Sequence, residues 1–104
     1  MNGEKITELS KLQDQIEELA NGERFGANHN DYPPNINQFE ALVEMFYSIA
    51  SDMQCSIKVM RVILDGQRSL NRQFMNLRSS QCVNKFEAMR CIYSQIDQIM
   101  NELK

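Results

Sequence analysis

From Ile36 to Leu64 the apolar residues recur at alternating steps of three and four: Ile36, Phe39, Val43, Phe46, Ala50, Met53, Ile57, Met60 and Leu64. A mean repeat of 3.5 residues is the spacing at which side chains line one stripe of an α-helix and meet a neighbouring helix. A half-buried strand would alternate with a period of two instead. Helix breakers are scarce, with 4 Gly and 2 Pro in 104 residues and both prolines adjacent at Pro33–Pro34. The expected fold is therefore all-α: a short N-terminal helix, a linker, a long amphipathic helix and a C-terminal helix, packed as a coiled-coil-like hairpin or bundle.

The rest of the chain fits around that segment. In residues 1–20, Leu9, Leu12, Ile16 and Leu19 form a seam that Ile6 widens, and Glu4, Glu8, Lys11, Asp14, Glu17 and Glu18 stay off it. Asn21–Gly22 supplies a stop, since both residues tolerate a left-handed backbone. Residues 21–35 read as a linker rich in Gly, Asn and Pro, with Phe25 and Tyr32 as its large apolar groups. Asn35 is a good N-cap, with Gln38 three residues on as in a capping box. The long helix is predicted over about 36–78 and the C-terminal helix over about 82–104, where Cys82, Phe86, Met89, Tyr93, Ile96, Met100 and Leu103 repeat the same steps. The two registers do not match across Arg78–Gln81, which implies a turn or a stutter there. A single helix over 36–104 would exceed about 100 Å, which favours a turn.

A second row, Leu42, Met45, Ile49, Val59, Ile63, Leu70 and Leu77, flanks the first. Two stripes make a face wider than one facing helix covers, and the surplus points to another chain. The expected partner contacts are Ile36, Phe39, Val43, Phe46, Met53, Ile57, Met60, Leu64 and Phe74. Gln67 and Asn71 continue the seam where Leu or Ile would pack better; polar residues there select register and partner number, or else the seam ends at Leu64 and both face water. Gly66, immediately before Gln67, costs a helix interior about 1 kcal/mol relative to Ala, and it allows a bend, a close helix crossing or a turn at Asp65–Gly66.

Charge is unevenly spread. Residues 1–55 hold ten acids and three bases, a net of −7; residues 56–91 hold seven bases and two acids, a net of +5; the remainder adds −1, giving −3 overall. Lys58, Arg61, Arg68 and Arg72 fall on one face of the long helix. Such a face can meet an acidic helix, or nucleic-acid phosphates. The total charge is negative and no aromatic groups interleave the bases, so a protein partner is the stronger reading.

Nothing in the sequence assembles a reaction centre. Cys55, Cys82 and Cys91 form no CxxC pair and suit a role as small hydrophobes in helices. His29, the single histidine, lies in the linker among Asn28, Asn30 and Asp31 and reads as a surface residue. No P-loop, GxGxxG or HExxH is present, and the acids fall on solvated helix faces. Seven methionines suit core filling or an adaptable binding face. The start is polar, and no run approaches the roughly 18 apolar residues that span a bilayer, so an intracellular protein of cytoplasm or nucleus is expected. The function expected is that of a non-enzymatic coiled-coil subunit or adaptor, without cofactor or metal, joining protein partners as a homo- or hetero-oligomer. A nucleic-acid-binding helical protein and a small monomeric helical inhibitor of one target are the alternatives.

Overall fold

The computed structural model describes residues 2–22 and 34–103. Most of the expected linker, including Phe25, His29 and Tyr32, lies outside them. The described residues form four helices and no strand: α1 (Asn2–Ala20), α2 (Ile36–Ser51), α3 (Ile57–Arg78) and α4 (Lys85–Leu103). The all-α expectation holds. The single long helix over 36–78 does not, because residues 52–56 divide it into α2 and α3.

The physical reason lies in the polar residues of that stretch. Past Ser51 the amides of Asp52 and Met53 turn back to the carbonyls of Ile49 and Ala50, both at 3.1 Å, tightening the last turn of α2. Ser56 then caps α3, its hydroxyl accepting from the Val59 amide at 3.3 Å. Ser and Asp favour such ends because their side chains offer the backbone an alternative partner. The other N-cap reads as expected: the Asn35 side chain accepts from the Gln38 amide at 3.1 Å and donates to Gln38 Oε1 at 2.9 Å. The expected turn after Arg78 is also present, over residues 79–84, where Lys85 Nζ donates to the carbonyls of Leu77 and Ser79 and so satisfies the end of α3.

Cross-helix bonds show the topology. Gln13 Nε2 donates to Asp97 Oδ1 at 3.0 Å and Arg90 donates to the Ala20 carbonyl at 3.3 Å, so α1 and α4 run antiparallel. Arg78 at the end of α3 grips Glu40 and Asn37 at the start of α2. Lys5 reaches the Asp52 carbonyl at the far end of α2. Consecutive helices are thus antiparallel neighbours, α2 to α3 and α3 to α4 through the short segments 52–56 and 79–84, and the four make an up-down-up-down bundle. α1 and α3 each pack between α2 and α4 and therefore sit at opposite corners. The described chain measures 44 × 24 × 18 Å.

Every helix points a stripe inward. The core joins Leu9, Leu12, Ile16 and Ala20 of α1 to Phe39, Val43, Phe46, Tyr47 and Ala50 of α2, with Met53 closing one end. From α3 come Val59, Ile63, Leu70, Phe74 and Leu77, and from α4 Phe86, Met89, Ile92, Ile96, Ile99 and Met100. The core side chains are apolar apart from the Tyr47 hydroxyl, which like Gln73 Oε1 and Gln95 Oε1 is buried without a hydrogen-bond partner among the described residues.

Candidate functional site

The break at 52–56 decides which residues remain available to a partner. In α2 the seam stays inside: Phe39, Val43, Phe46 and then Met53 are buried, and Ile36 is half-buried against the core. Phe74 in α3 is buried as well. These residues were expected to bind another chain, and the reading is corrected: the chain doubles back and covers most of its own wide apolar face.

In α3 the two rows exchange places. The flanking row, Val59, Ile63, Leu70 and Leu77, faces the core, and the former seam turns outward. Ile57 is 71 % exposed and Met60 and Leu64 are each 43 % exposed. Gln67 and Asn71 are exposed on the same stripe, and neither is used to set register within this bundle. Met75, about three turns beyond Leu64, is 73 % exposed. A helix can bury one stripe in its own bundle and still present an apolar stripe outside only if its sequence is apolar on both.

Lys58, Arg61, Arg68 and Arg72 are exposed beside these side chains, and none forms an ion pair with a described residue. Counting Arg78, α3 carries five bases against Asp65, a net of +4. On the opposite corner, α1 carries Glu4, Glu8, Asp14, Glu17 and Glu18 against Lys5 and Lys11, a net of −3. Arg78 is set apart from the free bases: its Nε and terminal nitrogen grip the two Glu40 oxygens at 2.7 and 2.8 Å, and the same terminal nitrogen donates to Asn37 Oδ1 at 2.8 Å. The hydrogen bond to Glu40, then the charge of that carboxylate, hold the Arg78 guanidinium above even its usual high pKa. Arg78 therefore belongs to the scaffold.

Beside the 52–56 connection, where α2 ends and α3 begins, Ala50, Ser51, Met60, Ile63 and Leu64 line a small apolar pocket. Ala50 and Ser51 are small, so the ends of the two helices leave room there for an incoming side chain. The pocket adjoins the exposed stripe through Met60 and Leu64.

A second polar cluster lies between α1 and α4. Tyr93 donates to Glu17 Oε2, and Gln13 Nε2 bridges Tyr93 Oη at 3.3 Å and Asp97 Oδ1 at 3.0 Å. Burial first, and then the bond to Glu17, push the Tyr93 phenol up to about 12. Its members satisfy one another across the helix pair, which makes the cluster a clasp fixing the α1–α4 register. Among the described residues no three His, Cys, Asp or Glu side chains converge as metal ligands, and no helix is long and apolar enough to cross a membrane.

No protein family matches the chain, nor does any curated protein or solved structure. The functional reading therefore stands on the geometry of α3.

Proposed function

We propose that this chain is a non-enzymatic helical interaction module, a subunit or adaptor of a protein assembly in the cytoplasm or nucleus. It docks its partner on the outer face of α3. The observation that carries the reading is the exposure of Ile57, Met60, Leu64 and Met75 along one stripe of a helix whose other stripe already fills the core. Large apolar side chains aligned over several turns are a cost in water that a partner removes. The expected contact set from Ile36 to Phe74 narrows accordingly to the outward half of α3 and the pocket beside it.

The test is a surface variant that leaves the core alone. Ile57→Asp with Leu64→Asp alters exposed positions, so the helical circular dichroism and the melting transition should remain those of the parent. Affinity purification from the native source with parent and variant baits should then lose one set of interactors with the variant. If the variant folds and retains the same interactors, the α3 face is not the docking surface. A duplex DNA or RNA titration examines the nucleic-acid alternative: binding that falls steeply with salt and vanishes when Lys58, Arg61, Arg68 and Arg72 become Ala would replace this reading.

A further inference from the structure

We infer that the occupant of the α3 face is a single acidic amphipathic helix from a different chain, aliphatic where it meets Ile57, Met60 and Leu64 and carrying carboxylates opposite Arg61, Arg68 and Arg72. The inference rests on the docking reading above and adds the partner's chemistry.

Spacing supplies the first argument. Ile57, Met60, Leu64, Gln67 and Asn71 alternate steps of three and four on the exposed face, the repeat that a second helix matches in left-handed packing. Arg61 and Arg68 each follow a seam residue and so occupy the flank from which a coiled-coil helix selects its partner's charge. Ile57 to Met75 spans about 27 Å of helix, so the partner helix needs about five turns. Its aliphatic end lies over the pocket formed by Ala50, Ser51, Met60, Ile63 and Leu64. Its polar end lies over Gln67 and Asn71, where a Leu would leave both amides without hydrogen-bond partners.

Charge supplies the second. Four bases on this face have no acidic partner among the described residues, while α1 and α2 carry the chain's excess of acid elsewhere. A second copy is a poor occupant in either arrangement. Pairing α3 with α3 would bring two +4 helices together, and the acidic α1 has its apolar stripe, Leu9, Leu12 and Ile16, already inside the bundle. Phosphates would satisfy the arginines but would strand Ile57 and Leu64 at the centre of the contact.

The experiment uses the full chain and three designed helical peptides of about 21 residues that share one Leu/Ile seam and carry Glu, Gln or Lys on both flanks. Affinity is read by fluorescence anisotropy at low and high salt, and the site by amide chemical shifts. The Glu peptide should shift residues 57–75, bind at least about tenfold more tightly than the Lys peptide, and weaken as salt screens the pairs. Arg61→Glu with Arg68→Glu, shown to melt as the parent does, should reverse the order of the Glu and Lys peptides. If the Gln or Lys peptide binds α3 as tightly as the Glu peptide, the acidic partner is wrong and the docking face survives. If no peptide shifts α3, both fall. Sedimentation of the chain alone as a dimer that Arg68→Glu dissociates would make the occupant a second copy and overturn the inference, as would displacement of the Glu peptide by duplex DNA at physiological salt.

Discussion

The ring of Tyr47 in α2 lies over the backbone of Gly66 in α3, so close that a Cβ at position 66 would sit 2.9 Å from Tyr47 Cε1 and 3.0 Å from Cζ. Tyr47 is 1 % exposed and stacks edge-on against Phe46 at 5.9 Å, so the ring has nowhere to retreat. Gly66 is thus the close-crossing residue of the α2–α3 pair. Its conformational freedom is not what the position needs; the missing side chain is.

Gly66→Ala follows directly. Helix propensity alone would reward the change by about 1 kcal/mol. Overpacking against a buried ring costs about 1–3 kcal/mol, and the ring is the stronger term. The variant is expected to be destabilised in urea unfolding. Tyr47→Leu, which is destabilising alone, should largely cancel the penalty when combined with Gly66→Ala. Additive losses in that double-mutant cycle would mean that the two residues do not meet.

Alkaline pH reads the same tyrosine. Burial pushes the Tyr47 phenol from its ordinary 10 to about 12. Below pH 10 the phenol is protonated in folded and unfolded chains alike, and the stabilisation is complete. Above 10 the unfolded chain releases its proton while the folded chain keeps it, so stability falls until about pH 12, where both have ionised. Tyr93, raised to about 12 by burial and Glu17, adds to the same window. The urea midpoint should decline between these values, and Tyr47→Phe should flatten the decline. The Tyr47 hydroxyl has no hydrogen-bond partner among the described residues, so Phe should also cost little or nothing at neutral pH. Parallel pH profiles for parent and variant would refute the assignment.

Inside and outside of the former seam should respond differently to truncation. Phe46 is fully buried and Ile57 largely exposed, although both lie on the same sequence repeat. Phe46→Ala should cost about 3–5 kcal/mol by opening a cavity. Ile57→Ala should stay within about 0.5 kcal/mol, as surface changes do. Comparable losses in thermal melts would place Ile57 in the core.

What the sequence made legible follows from which residues repeat and which do not. The inward stripes of α1 and α4 are plain in Leu9–Leu12–Ile16 and in Phe86–Met89–Ile96–Met100, because nothing interrupts their period. The break before α3 is hidden for a physical reason: Met53 and Ile57 keep the seam in step across residues 52–56, and periodicity carries no sign of a reversal that preserves it. The available signal was Ser56, an N-cap immediately before an apolar row of its own, Val59, Ile63, Leu70 and Leu77. Reading that row as the core of a new helix would have turned Ile57 and Leu64 outward and placed the candidate site. The Tyr93–Glu17 clasp had no such signal, since it joins residues 76 apart, a tyrosine on the seam of α4 and an acid off the seam of α1.

The preserved register leads to the last prediction. Because the 3.5-residue repeat runs on through the turn, a sequence that removed the turn would present Ile36 to Leu64 as one continuous seam. Asp52→Ala, Gln54→Ala and Ser56→Ala together replace the polar residues of the connection with the strongest helix former and delete the Ser56 cap, itself worth about 1 kcal/mol to α3. Met53 and Cys55 are left in place to keep the spacing. Straightening α2 into α3 would pull Val59, Ile63 and Phe74 away from α1 and α4 of their own chain, and a second molecule related by a twofold axis can supply the same contacts. Light scattering of the triple variant should therefore give twice the parent mass, with helix content raised by the converted turn and a dimer that dissociates only on unfolding. A monomeric variant with the parent's helix content would mean that core packing, rather than the residues of the turn, bends the chain between α2 and α3.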